Sequence, residues 1–111
     1  MLRVLEYLDI AGISPFRRWF DRLDAPAAAK VTVATARMAT GNFGDSKPVG
    51  SGVVECRIDF GPGFRVYFGR DGDELVILLA GGTKKNQQTD IAEAKRRWQD
   101  YKKRSRAMKG I

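Results

Sequence analysis

The sequence contains no histidine and only one cysteine, and each scarcity excludes a kind of site. Without histidine there is no Ser-His-Asp or Cys-His mechanism, and one cysteine cannot form an internal disulfide. The usual zinc ligands are too few for a structural metal, so we predict neither a metal nor a cofactor. Cys56 falls on the apolar side of a predicted strand, where we expect a buried thiol in a reducing cytoplasm.

Long hydrophobic runs are also lacking. No apolar segment approaches the ~20 residues of a membrane-spanning helix. The N-terminus shows no basic-then-apolar leader with a small-residue cleavage site. The length of 111 residues and a hydrophobic content of 43% fit one domain with a modest core. We predict this domain at residues 1–104 and a basic, flexible tail at residues 105–111, in a cytoplasmic protein.

Positive charge is concentrated at one end of the chain. The net charge is +7, yet residues 1–83 hold ten basic and ten acidic side chains, whereas residues 84–111 hold ten basic and three acidic ones. This distribution indicates contact with a polyanion, either a nucleic acid or an acidic partner. The alternative is a solvated helix followed by a disordered tail.

Hydrophobic periodicity predicts the element order β-α-α-β-β-β-α, an α+β fold with a mainly antiparallel sheet. A first strand is expected within residues 2–10. Ser14 and Asp24, each followed by a proline, are typical helix N-caps and predict a helical hairpin that ends near Thr40. Residues 42–52 have the composition of a loop. The C-terminal helix is expected to begin at Asp90 and to end near Arg104.

The stretch from residue 55 to residue 85 predicts three strands joined by two tight turns. Pairing Phe60 with Phe64 would set Asp59 opposite Arg65, and Arg57 opposite Tyr67. All the helices are expected on the apolar face, which leaves these polar side chains on an open face. Residues 75–80 are apolar on both sides, which predicts that the second face of this strand is at least partly covered and that the strand is central, with the first strand beside it. The two glycines at positions 81 and 82 are expected to turn the chain sharply off this strand.

The residue types on the predicted open face suit phosphate chemistry. In RNA the 2′-hydroxyl is the nucleophile, so a protein needs only to align it, stabilise the phosphorane and protonate the leaving oxygen. Arg57 and Arg65 would supply positive charge, and Tyr67 would stack on a base or donate a proton. Lys84 or Lys47 would act as base or acid, if a cationic neighbourhood lowers their pKa values or that of the tyrosine. The alternative is an exposed sheet face that carries only a weak cross-strand ion pair.

Three sequence blocks point to a family. They are GNFGDSKPVG at residues 41–50, RIDFGPGFRVYF at residues 57–68 and GGTKK at residues 81–85. In these blocks the chain resembles the RelE/ParE superfamily of toxins from bacterial type II toxin–antitoxin modules. Within that superfamily it is most similar to the HigB-like addiction module killer proteins. The likeness covers residues 3 to about 102.

The resemblance implies a RelE-like fold and a metal-independent endoribonuclease that blocks translation by cleaving mRNA, often on the ribosome. It also implies that a small antitoxin neutralises the protein, and that this antitoxin is a helix-turn-helix protein encoded by the adjacent gene. The site positions of the family carry over to the strands and to the segment after them. We therefore predict catalytic roles for Arg57, Arg65, Tyr67 and Lys84, and RNA contacts by Lys47, Lys85, Arg96 and Arg97.

The chain departs from the family pattern in two respects. Some RelE-like enzymes use histidines, of which this chain has none, and some use a tyrosine near the C-terminus. Tyr101 lies at a roughly similar place, but its position in the apolar stripe of the last helix predicts a core residue. Two alternatives stay open: a ParE-like toxin that poisons DNA gyrase, and a non-enzymatic basic module that binds nucleic acid or a partner.

Overall fold

A five-stranded sheet organises the chain, and helices cover both of its faces. The computed structural model describes residues 1–109. The elements are β1 (Arg3–Glu6), α1 (Pro15–Phe20), α2 (Ala25–Met38), β2 (Asp45–Gly50), β3 (Val53–Ile58), β4 (Phe64–Asp71), β5 (Leu75–Thr83), a 3-10 turn (Lys84–Asn86) and α3 (Gln87–Lys109). The strand order is β1-β5-β4-β3-β2, with β1 parallel to β5 and the other pairs antiparallel. The predicted α+β class, helical hairpin and C-terminal helix are confirmed.

The two helices of the hairpin begin where their capping residues predict. The Ser14 hydroxyl accepts a hydrogen bond from the Arg17 amide at 3.0 Å, and the Asp24 carboxylate accepts one from the Ala27 amide at 2.9 Å. Each bond satisfies an amide that the first turn of a helix leaves free. The apolar stripes of α1 and α2 pack on one face of the sheet, against residues that include Cys56. The expected burial of the thiol is confirmed.

The central position of β5 is confirmed by its neighbours, β1 on one side and β4 on the other. Its residues from Val76 to Ala80 are buried, as expected for a strand that is apolar on both sides. The first strand is shorter than predicted and ends at Glu6. Beyond it, the Asp9 carboxylate accepts hydrogen bonds from two backbone amides and closes a turn instead.

The prediction of a loop at residues 42–52 was wrong, because this segment contains strand β2. Asp45, Ser46 and Lys47 lie opposite Arg57, Cys56 and Glu55 of β3. Proline and glycine made the segment look irregular. An edge strand needs hydrogen bonds on one side only, so Pro48 is tolerated there.

The predicted register of the β3–β4 hairpin was also wrong, by two residues. Arg57 lies opposite Arg65, and Ile58 opposite Phe64. The loop spans residues 59–63, and the Gly63 amide closes it by donating to the Phe60 carbonyl at 2.9 Å. Because side chains alternate with a period of two, the shift changes the partners but leaves every side chain on its predicted face.

The polar face of the sheet was predicted to be open. In the structure α3 packs on this face and closes it. Ala94 and Trp98 of α3 join a second core cluster with Tyr67, Ile77 and Leu79. The helix has an apolar stripe of its own, and burying that stripe requires a face that α1 and α2 leave free.

Helix α3 also differs from its predicted bounds. It begins at Gln87, three residues before the predicted cap, and it continues past Arg104 to Lys109. The last two residues of the predicted tail, 110 and 111, lie outside the described part of the chain. Within residues 1–109 no helix is both long enough and apolar enough to cross a membrane.

Gly81 and Gly82 do not turn the chain, because β5 continues through both of them to Thr83. Their role is close packing. A Cβ atom built on Gly81 would lie 2.0 Å from the indole of Trp19, and one built on Gly82 would lie 2.0 Å from the Asp90 carboxylate. The two glycines therefore admit one large side chain from α1 and one polar side chain from α3, on opposite faces of the sheet.

Candidate functional site

Charged side chains form a row that crosses the sheet perpendicular to its strands. Asp45 of β2 pairs with Arg57 of β3, which pairs with Arg65 of β4, which in turn pairs with Gly82 of β5. We call Asp45, Arg57 and Arg65 the charged row. The sequence predicted that the two arginines share a face, and the sheet makes them direct cross-strand neighbours.

A small cavity opens beside the charged row. It has a volume of about 240 Å³ and is lined by both arginines, by Asp45 and Asp59, and by residues of the β3–β4 loop. Arg57 lies at its outer side, with 47% of its side chain exposed, and donates through Nε to Asp45 at 3.1 Å. An exposed ion pair of this kind is weak and exchanges readily with another anion.

Arg65 lies deeper in the sheet, with 11% of its side chain exposed. Its ionic partner is Glu55, whose Oε2 lies 3.7 Å from the Arg65 Nε, a distance too long for a hydrogen bond. Within residues 1–109, the buried Nε atom has no hydrogen-bond partner. Arg65 therefore combines a nearly buried stem with unused hydrogen-bond donors next to the cavity.

The predicted exposed tyrosine, Tyr67, is fully buried and lies under α3. Its hydroxyl donates to the Glu55 carboxylate at 3.0 Å. Burial raises the pKa of Tyr67, and the hydrogen bond to the carboxylate raises it further. The lowered pKa under which Tyr67 could transfer a proton is therefore not found, because burial and the Glu55 carboxylate outweigh the lowering effect of Arg65. Tyr67 keeps its proton at neutral pH and contacts no solvent.

Sequence reasoning missed Glu55 and Gln87, which complete what we call the buried network: Glu55, Arg65, Tyr67 and Gln87. Gln87, the first residue of α3, donates through Nε2 to the Glu55 Oε2 at 2.8 Å. The alternating pattern of β3 places Glu55 on the polar side of the strand, which predicts a side chain in contact with solvent. The signal that could have found it was the two-sided apolarity of β5, which implies a covered second face.

Asp90 of α3 approaches the same region from above. Its carboxylate lies over Gly82, where a side chain on the sheet would displace it. Burial raises the pKa of Asp90, and the positive charge of Arg97 offsets part of that increase. Sequence reasoning assigned Asp90 to the helix cap and so missed its contact with the sheet.

The predicted RNA-binding residues fall into two groups. Arg97 is largely buried, with 18% of its side chain exposed, and donates to the Leu79 carbonyl at 3.0 Å. It therefore attaches α3 to the sheet. Arg96 points outward and pairs with Glu93 at 2.7 Å.

The predicted lysines are exposed, and Lys47 lies directly opposite Glu55 of the buried network in the β2–β3 pair. Lys84 and Lys85 form the 3-10 turn that follows β5, and Lys47 lies on the edge strand β2. In the part of the chain that the structure describes, none of the three forms a salt bridge. Nor do residues 1–109 contain a group of three or more acidic or cysteine side chains arranged to hold a metal ion.

Two comparisons relate this chain to known proteins. The family described as "Phage derived protein Gp49-like (DUF891)" matches residues 18–102. An "Uncharacterized protein" of Haemophilus influenzae (strain ATCC 51907 / DSM 11121 / KW20 / Rd) is 46% identical over 81 residues. That alignment covers 72% of this chain and 82% of the relative.

Proposed function

This chain belongs to the Gp49-like family, a RelE-like toxin family of toxin–antitoxin modules, and we propose that it is a toxin that cleaves mRNA. The observation that carries the proposal is the state of Arg65. A guanidinium that borders a cavity, beside a second arginine and with unused donors, suits a phosphate group. In this proposal the charged row binds the scissile phosphodiester in the cavity.

The proposed reaction uses the 2′-hydroxyl of the RNA as nucleophile. It loses its proton and bonds to the adjacent phosphorus, the bond from phosphorus to the 5′-oxygen breaks, and that oxygen takes up a proton, which leaves a 2′,3′-cyclic phosphate and a 5′-hydroxyl. Arg57 and Arg65 stabilise the charge of the phosphorane, which is the largest contribution that such a site makes. Lys84 or Lys47 accepts the proton of the 2′-hydroxyl or supplies the proton that the 5′-oxygen takes up, and both side chains are exposed. Tyr67 enters the proposal as a support for Glu55, because its burial keeps it from the RNA.

The rest of the RNA is proposed to lie along basic side chains outside the cavity. Lys85 and Arg96 are exposed and suit contacts with backbone phosphates. Arg97 contributes less directly, since it holds α3 in place. Binding through such contacts weakens as salt concentration rises. The proposed site of action is the cytoplasm, on free or ribosome-bound mRNA.

The test is expression of the chain from a tightly controlled promoter, with primer-extension mapping of cellular transcripts. Wild type is expected to arrest growth and to produce new 5′ ends within mRNA. Arg65→Ala is expected to abolish both effects while the circular dichroism spectrum stays unchanged. Arg22→Ala is the matched control, because Arg22 is exposed and forms no salt bridge among the described residues.

Two other outcomes would contradict this proposal. Intact transcripts in arrested cells, together with DNA breaks and a DNA-damage response, would favour a gyrase poison. If deletion of residues 102–111 were more damaging than Arg65→Ala, a non-enzymatic basic module would be favoured.

Membership of a toxin–antitoxin family implies an antitoxin partner. We propose that the antitoxin is a helix-turn-helix protein encoded next to this chain, with an extended or helical segment that covers the charged row. Acidic side chains would pair with the exposed Arg57. Co-expression of the neighbouring gene is expected to restore growth, and restored growth without a stable complex between the two proteins would contradict direct neutralisation.

A further inference from the structure

Glu55 is a charged side chain in an unusual place, the middle of a sheet with a helix packed over it. The residue is 0% exposed. Its Oε2 accepts hydrogen bonds from the Tyr67 hydroxyl at 3.0 Å and from the Gln87 amide at 2.8 Å. Its Oε1 is buried and has no partner within residues 1–109. A half-satisfied buried carboxylate opposes folding, so its presence calls for a role beyond stability.

The neighbour that gives Glu55 such a role is Arg65. The Nε atom of Arg65 is buried, faces the Glu55 carboxylate at 3.7 Å and has no hydrogen-bond partner in the described part of the chain. The same side chain lines the cavity beside Arg57. When a carboxylate holds an arginine at its Nε atom, the two terminal nitrogens of the guanidinium can still donate hydrogen bonds to a ligand on the opposite side.

The other members of the buried network hold the carboxylate itself. Tyr67 approaches Glu55 from β4, and Gln87 approaches it from the first turn of α3. The two donors come from different elements and converge on one oxygen, so the carboxylate cannot rotate without losing both bonds. The network thus fixes the acid, and the acid in turn constrains the arginine.

We propose that Glu55 is a positioning residue, which directs the Arg65 guanidinium into the cavity to receive a phosphate group. The inference rests on the proposed function for the identity of that phosphate, an RNA phosphodiester. Glu55 itself touches no RNA, because it is shielded from solvent by α3 and by Arg65. Its effect on the reaction passes entirely through the arginine.

Two measurements on purified protein test this inference. The first is cleavage of a short RNA, and the second is binding of inorganic pyrophosphate by calorimetry. The variants are Glu55→Gln, Arg65→Ala and the double variant, and Glu74→Gln is the control for loss of an exposed carboxylate. Glu55→Gln keeps the shape of the side chain, an acceptor for Tyr67 and an acceptor for Gln87, so it is expected to fold.

Glu55→Gln is expected to lower kcat on the order of 10- to 100-fold, the loss typical of a misaligned group, with KM changed by less than about threefold. It is also expected to weaken pyrophosphate binding. A purely electrostatic role predicts the reverse, since removing a negative charge next to an arginine strengthens anion binding. Tighter or unchanged binding by Glu55→Gln would therefore overturn the inference.

The double variant separates positioning from a structural role. If Glu55 acts only through Arg65, adding Glu55→Gln to Arg65→Ala causes no further loss of kcat or of pyrophosphate affinity. Multiplied losses would mean that the two residues act independently and would refute the inference. Should Glu55→Gln fail to fold, Tyr67→Phe takes its place, because it removes one bond that fixes the carboxylate; wild-type activity of that variant would count against the network.

Failure of this inference is distinguishable from failure of the proposed function. If wild type cleaves no RNA on or off the ribosome, the ribonuclease proposal is wrong, whereas the pyrophosphate measurements still report on Glu55 and Arg65. If RNA is cleaved and Glu55→Gln cleaves it at the wild-type rate, only the positioning role is refuted.

Discussion

Replacement of Gly81 by alanine is predicted to destabilise the fold strongly, although it adds one methyl group. The new Cβ would lie 2.0 Å from one atom of the Trp19 indole and 2.3 Å from two others. Carbon atoms in contact prefer separations of about 3.5–4.0 Å, so the ring or the strand must move by about 1.5 Å. The indole is confined by Phe16 and Phe64, whose ring centroids lie 5.8 Å and 6.3 Å away.

We expect Gly81→Ala to lower the free energy of unfolding by about 3 kcal/mol, the upper part of the usual range for an overpacked core. The corresponding fall in Tm is on the order of 10–20 °C for a domain of this size. Urea and thermal unfolding followed by circular dichroism measure both quantities. The same substitution in a Trp19→Ala background is expected to be nearly neutral, because the obstructing ring is gone.

Gly82→Ala is the matched comparison for the neighbouring position. Its new Cβ would also lie 2.0 Å from a side chain, but that atom is the carboxylate end of Asp90, which can rotate outward. A loss of about 1 kcal/mol is expected, within the common range for single substitutions. The packing argument is refuted if the free energy of unfolding of Gly81→Ala lies within about 0.5 kcal/mol of the wild-type value. It is also refuted if Gly81→Ala loses no more stability than Gly82→Ala.

Three further predictions concern charge and backbone conformation. Burial raises the pKa of Asp90, so its ionised form opposes folding; Asp90→Asn should raise Tm at pH 7, and this gain should disappear as the pH falls below the folded-state pKa. Burial and a hydrogen bond to Asp71 raise the pKa of Tyr101 to about 12. The contribution of this residue to stability should therefore be present below pH ~10 and be lost as the pH rises through about 12. In Tm scans, Tyr101→Phe should show less of this alkaline loss. Ser51 has a φ of 57° in the turn between β2 and β3, so Ser51→Asn should recover part of the about 1–2 kcal/mol that this conformation costs, and a lower Tm would contradict that account.

The features that were predicted correctly are those that depend on local chemistry. The Ser14 and Asp24 caps, with their prolines, start helices through bonds to amides three residues ahead. The buried β5 follows from a run that is apolar on both sides. In each case the information lies within a few consecutive residues, so tertiary packing had little opportunity to override it.

The features that were missed depend on contacts between distant segments. The register of the β3–β4 hairpin depends on a five-residue loop closed by the Gly63 amide, which composition does not reveal. The choice of face by α3 decides whether Tyr67 is a surface residue or a core residue. Glu55 and Gln87 are 32 positions apart, and nothing in either local pattern indicates their hydrogen bond. The predicted face of Arg57 and Arg65 was nevertheless correct, because a two-residue shift in register keeps each side chain on its face.

The parallel pairing of β1 with β5 has a consequence for synthesis of the chain. Arg3 pairs with Leu75, so the first strand emerges from the ribosome long before its partner exists. Contacts of such high sequence separation form late in folding, after the intervening loop has closed. A nascent chain interrupted before Leu75 lacks its central strand and its last helix, and it therefore also lacks Gln87, one of the two donors that fix the Glu55 carboxylate. The complete sheet and the buried network beside the cavity can consequently form only late in the synthesis of the chain.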